Sequence, residues 1–194
     1  MVATFLMAAL MGGSITTARA QAYPDKPVKV LMPWLDGFPA NSTRLYTKEL
    51  TERLKQQVIV DVRPGAGGEV AAKQVISAPP DGYTLLSTGS SITIRAVSDA
   101  NNADGERDLR PIAQLVTTPY VIVAKAGTYG TFANFLAAAR ANPGKINYAS
   151  AGVGTGMHFL GELLNANAGI QTVQVPYATG SRQLQAVLAG TRCV

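Results

Sequence analysis

Between Lys145 and Leu164 the chain passes from a β-prone run, Ile146 to Ala149, through a glycine cluster, Gly152 to Gly156, into helical spacing at Met157, Leu160 and Leu164. This reads as strand, loop, helix. Glycines let a backbone approach a ligand closely, and the helix start beyond them presents unpaired N–H groups and a partial positive charge. Such an end suits an anion. Thr155 is placed as the N-cap, with His158 at N3 in the first turn. The plain alternative is that Gly152 to Gly156 is a tight connection and His158 a surface residue.

The remainder alternates strand and helix signals. Lys26 to Met32 reads as a first strand and Pro33 to Pro39 as a loop. A helix follows, capped by Asn41 or Ser42, with Tyr46, Leu50 and Leu54 on one face. The β-branched run Val58 to Val62 has the pattern of a strand covered on both faces. Arg63 to Gly68 lacks the lysine and hydroxyl that close a phosphate loop, so it reads as a backbone turn before a short helix, Val70 to Ser77. Tyr83 to Ser87 is a third strand, ending in Gly89-Ser90-Ser91. Residues 99–107 are a polar excursion without period.

Two apolar stretches, Ile112 to Val116 and Tyr120 to Ala124, flank a domain crossing. Thr131 starts a helix with Phe132, Phe135, Leu136 and Ala139 as its buried face. A strand near Thr172 to Val175 and a helix from Ser181 to Leu188 close the pattern. The expected fold is α/β with mostly parallel sheets.

Residues 1–20 differ in kind: an apolar run, Phe5 to Met11, and Ala18-Arg19-Ala20 before Gln21 fit a secretory signal, although no lysine or arginine precedes the run. No segment reaches the ~20 apolar residues of a membrane-spanning helix. The mature chain is expected to be exported and soluble. The formal net charge of +5 comes from scattered basic residues, which argues against a nucleic-acid face, and a single cysteine and a single histidine argue against a metal site. A dinucleotide fingerprint requires G-x-G-x-x-G and an acid about 20 residues on. Here the spacing is G-x-G-x-G, and the next strand reads Val173-Gln174-Val175. Ser90, Ser91 and Ser150 have only His158 as a base and form no triad pattern.

Several motifs occur together in one order: Tyr23-Pro24-Asp25-Lys26-Pro27-Val28, Arg63 to Gly68, Pro80-Asp81-Gly82-Tyr83-Thr84-Leu85-Leu86, Pro143 to Gly152, Gly154-Thr155 with His158, and Val175-Pro176-Tyr177. From Gln21 to about Gly190 the chain resembles the extracytoplasmic solute receptors of the tripartite tricarboxylate transporter system, the TctC-like or Bug family. The resemblance implies a periplasmic binding protein-like Venus flytrap with two mostly parallel α/β domains, 21–118 and 119–194, the second incomplete. It implies a monomeric, non-enzymatic periplasmic receptor, without cofactor or metal, that captures a small carboxylate for membrane permease subunits.

By position it places ligand contacts at Gly37 and Asn41, at Gly89, Ser90 and Ser91, and at Ser150, Ala151, Gly154, Thr155 and His158. Two departures stand out. The first loop, Trp34 to Asn41, reads one residue short and lacks a second glycine, and the chain stops after Ala189-Gly190-Thr191-Arg192-Cys193-Val194 where the family continues, so it reads as C-terminally truncated. The alternatives are a nucleotide-dependent Rossmann-like enzyme and a receptor fragment without function.

Overall fold

The computed structural model describes residues 23–98 and 108–190. The expected signal segment, the polar excursion at 99–107 and the last four residues lie outside them.

The first unit is a three-stranded parallel sheet of order β2-β1-β3, built from β1 (Val28–Met32), β2 (Val58–Val62) and β3 (Thr84–Leu86). Val28 pairs with Val58, and Lys29 with Thr84. The central strand holds most of the sheet's buried residues: Val28, Val30, Leu31 and Met32. Leu54, Tyr83 and Leu85 pack around Val28, Val30 and Val58. β2, expected to be covered on both faces, is an edge strand: Val58 is buried, Ile59 exposed. A β-branched run shows that a segment is a strand, whereas strand order depends on pairing with distant segments.

The helix α1 (Gly37–Leu54) begins earlier than its expected cap at Asn41 or Ser42, with Asp36 as N-cap. Pro39 therefore falls in the first turn, where a missing N–H costs no helical bond. The buried face of the helix is turned partly away from the expected one: Ala40, Thr43 and Thr47 are buried and Leu50 is exposed, while Leu54 of the expected face does pack on the sheet. Small residues let the helix lie close on the sheet, and the threonine hydroxyls are satisfied: Thr43 Oγ1 donates to the Pro39 carbonyl (2.9 Å) and lies 2.8 Å from Ser87 Oγ, and Thr47 Oγ1 donates to the Arg44 carbonyl (2.9 Å). A 3₁₀ turn (Ala66–Gly68) leads into α2 (Glu69–Ile76), and α3 (Ser91–Ser98) follows β3.

Residues 109–125 carry no helix or strand and connect the two units. Ile112 and Val121 are largely exposed there, and Tyr46 Oη donates to the Leu115 carbonyl (2.8 Å). The second unit holds α4 (Phe132–Ala141), β4 (Ile146–Ser150), α5 (Gly156–Ala168), β5 (Thr172–Pro176) and α6 (Gly180–Ala189). β4 and β5 pair in parallel from Ile146↔Thr172 to Ser150↔Pro176. Phe135, Ala139, Ile146 and Ile170 form its core, with Leu136 and Leu164 against them. Phe132, expected to be buried, is exposed and tilts against Phe135. α4 starts at Thr131 as expected, and the Thr131 side chain caps it by accepting from the Asn134 N–H.

Candidate functional site

In each unit the loops after the strands gather at the C-terminal edge of the sheet, where open parallel sheets bind ligands. The two edges meet at a seam, which four contacts define. A Cβ placed on Gly67 would lie 3.0 Å from the Val153 carbonyl oxygen. One on Gly154 would lie 3.8 Å from Arg95 Cγ. One on Gly156 would meet Tyr120 Oη at 2.5 Å and Ser90 Oγ at 2.7 Å. Asp36 reaches furthest: its Oδ1 accepts from the Gly180 N–H (3.0 Å), and its Oδ2 accepts from Ser181 Oγ (2.6 Å) and the Ser181 N–H (3.4 Å).

The glycine loop after β4 is built largely as its sequence suggests. Thr155 is the N-cap of α5, with Oγ1 accepting from the His158 N–H (3.4 Å) and donating to the Gly152 carbonyl (2.6 Å). His158 turns back on the loop, its Nδ1 accepting from the Gly154 N–H (3.4 Å). Ser150 is fully buried, and its hydroxyl accepts from the Gly152 N–H (3.0 Å) and from Gln174 Nε2. These side chains shape the loop, and the Gly156 and Met157 N–H groups at the helix start have no hydrogen bond among the described residues.

Of the other expected site residues, Ser90 reaches the seam at Gly156, and Gly154 meets Arg95. Ser91 is buried at the start of α3, with its hydroxyl close to Gly68. Gly89 lies beside Trp34, a Cβ there falling 3.4 Å from the indole. Gly37 opens α1 next to Asp36. Ala151 is exposed in the loop after β4, and Asn41 is exposed on the second turn of α1. Sequence reasoning passed over Asp36, Gly67, Arg95, Tyr120 and Ser181. Gly67 lies in the Arg63 to Gly68 motif, which was a usable signal, but nothing local links Asp36 to residues 144 and 145 positions away.

One carboxylate, Asp36, bonds across the seam, and a second, Glu69, pairs within the first unit and holds Arg95 at the seam's edge. The Asp36 carboxyl is held below its ordinary range mainly by the Ser181 hydroxyl, with the Gly180 and Ser181 N–H groups assisting against partial burial. The Glu69 carboxyl is held low first by the Lys73 hydrogen bond (2.6 Å), with the Arg95 charge adding to it. Arg95, paired with Glu69, also donates to the Ala66 carbonyl (2.8 Å) and so stands at Gly154 in a fixed position. A lowered folded-state pKa contributes stability above the unfolded value, 4.5 for this group, that is lost as pH falls through the folded value. The melting temperature is therefore expected to fall below about pH 4.5, and Glu69→Gln to flatten part of that fall. Melting curves of both proteins between acid and neutral pH check this, and superimposable acid limbs would refute it.

Among the described residues no group of histidine, cysteine, aspartate and glutamate side chains could hold a metal ion, and no helix is long and apolar enough to cross a membrane. A depression of about 330 Å³ lined by Ile122, Lys125, Tyr129 and Phe132 involves none of the seam residues.

Two parallel α/β units with their C-terminal edges apposed and helix starts between them have the Venus flytrap architecture of the periplasmic binding proteins. The chain belongs to the tripartite tricarboxylate transporter family of receptors, whose match spans residues 43–193. A UPF0065 protein of Bordetella bronchiseptica is 34% identical over 179 residues, covering 90% of this chain and 53% of the relative. The structure of MatC from Rhodopseudomonas palustris with bound malate matches with a TM-score of 0.77 at 27% identity, over 87% of this chain and 59% of that one. The periplasmic binding protein BugD matches in fold, with a TM-score of 0.68 at 24% identity over 87% of this chain and 57% of that one. The chain spans about half the length of the curated relatives it matches.

Proposed function

We propose that this chain is an extracytoplasmic solute receptor that takes a small carboxylate into the seam between its two units and presents it to membrane permease subunits. The observation that carries the reading is the pair of N–H groups at Gly156 and Met157 that make no hydrogen bond among the described residues, placed at a helix start against hydroxyls from the other side. A carboxylate there would accept charge-assisted hydrogen bonds in the field of the α5 dipole. Ser90 and Tyr120 supply hydroxyl donors, while Ser150, Thr155 and His158 hold the loop in shape. Gly37, Asn41, Gly89, Ser91, Ala151 and Gly154 complete the proposed lining. Family membership supports a receptor rather than a nucleotide-dependent enzyme, and malate in MatC supports a carboxylate as the class of ligand. Export follows from the secretory pattern before Gln21, and the receptor acts as a monomer without cofactor or metal.

Isothermal titration with a panel of small carboxylates, NAD and ATP tests the reading. Saturable heat with at least one acid is expected. Heat with a nucleotide and none with any acid would overturn it.

A further inference from the structure

We propose that Trp34 is a specificity-determining residue: its indole forms the first-unit wall of the ligand site, so the receptor selects carboxylates with a flat aromatic body over small aliphatic ones. This deepens the carboxylate-receptor reading and rests on it.

The placement follows from strand order. β1 lies between β2 and β3, so the loop that leaves it, Pro33 to Asp36, runs between the loops that leave its two neighbours. Pro33 lies against the first of these, its Cγ 3.4 Å from a Cβ placed on Gly68, and Trp34 lies against the second, its Cζ2 3.4 Å from a Cβ placed on Gly89. Both flanking loops touch the same segment of the second unit. Gly67 meets the Val153 carbonyl oxygen, and Ser90 Oγ stands at Gly156. Trp34 is thus bracketed by two contacts with the 152–156 loop, whose helix start is proposed to receive the carboxylate. Gly89 and Ser90 are consecutive, which sets the indole one residue from the point where the first unit touches the start of α5.

Trp34 is not held as a core residue is. It is half-buried, its indole N–H makes no hydrogen bond among the described residues, and that nitrogen is not enclosed. A tryptophan packed into a core usually finds a partner for its N–H. One left with a donor to spare at a cleft offers a large, rigid apolar face at low entropic cost. The basic side chain at Gly154, Arg95, is already committed to Glu69 and the Ala66 carbonyl. A ligand whose carboxylate enters at Gly156 and Met157 therefore meets an aromatic wall with the rest of its body, and a planar ring gains stacking and buried area there that a two-carbon tail cannot.

The test is calorimetric titration of the wild-type chain, Trp34→Phe and Trp34→Ala with benzoate, propanoate and a panel of other small carboxylates, together with the emission of Trp34, the single tryptophan of the chain. Wild type is expected to bind benzoate about tenfold more tightly than propanoate, with its emission changing along the same saturation curve. Trp34→Ala is expected to weaken benzoate binding about tenfold and to change propanoate binding by less than about twofold. Trp34→Phe keeps a ring at the wall and is expected to retain most of the preference. The emission measurement needs no substitution, so it decides the matter where a variant folds poorly. Propanoate bound as tightly as benzoate in wild type, unchanged emission at saturation, equal losses for the two acids in Trp34→Ala, or heat only with other carboxylates overturns the proposal and leaves the carboxylate reading standing. Absence of heat with every acid in all three proteins overturns the carboxylate reading and this proposal together.

Discussion

Met32→Ala is expected to lower the free energy of unfolding by about 2–5 kcal/mol, the usual cost of truncating a fully buried aliphatic side chain. Met32 is 0% exposed at the end of the central strand, and its carbonyl accepts from the Arg63 N–H (2.8 Å), so strand and side chain are both held. A methionine packs adaptably, which favours the lower half of that range. Ile59→Ala on the edge strand is the matched control: with 38% of the side chain exposed it loses less buried surface, and about 1 kcal/mol is expected. Urea unfolding of the three proteins measures both effects. Equal losses at the two positions would show that the first sheet is not organised around β1.

Local signals were the legible ones. Thr131 and Thr155 were readable as helix starts because a cap and the N–H groups it satisfies lie within three residues of each other. The strands at 28–32, 58–62, 146–150 and 172–176 were readable from apolar runs bounded by turn residues. The order of those strands was not, because β2 and β3 flank β1 through pairings that no single run contains. The phase of α1 misled for a chemical reason. Tyr46 and Leu50 look like core residues, yet Thr43 and Thr47 are the buried ones, since their hydroxyls return to helix carbonyls and their small volume brings the helix close.

The candidate site divides the same way. The glycine loop and its Thr155 cap could be read directly, and family resemblance drew attention to Ser90 and Gly154, both of which reach the seam. Asp36, Arg95, Tyr120 and Ser181 could not be read, because each matters through a partner in a different segment. An aspartate before a helix reads as that helix's own N-cap. Here its side chain makes no capping bond to α1 and serves α6 instead.

Gly67→Ala is expected to weaken carboxylate binding about tenfold or more, while Gly144→Ala leaves affinity within about twofold. Both glycines lie in the left-handed region, at φ 62° and 71°. Alanine at either position costs about 1–2 kcal/mol in backbone strain, partly offset by lower entropy of the unfolded chain. Their surroundings differ. Nothing lies within 4 Å of a Cβ on Gly144, whereas one on Gly67 comes within 3.0 Å of the Val153 carbonyl oxygen, a backbone atom of the loop proposed to receive the ligand. To admit that methyl group the seam must open by a few tenths of an ångström, or the 152–156 loop must shift and carry the Gly156 and Met157 N–H groups with it. Hydrogen-bond strength falls steeply with distance and angle, so the same shift weakens the contacts proposed to hold the carboxylate. Urea unfolding is expected to show similar stability losses for the two variants, and calorimetric titration with the best-bound acid is expected to separate them. Equal affinities for both variants would mean that contact between Gly67 and Val153 plays no part in ligand capture.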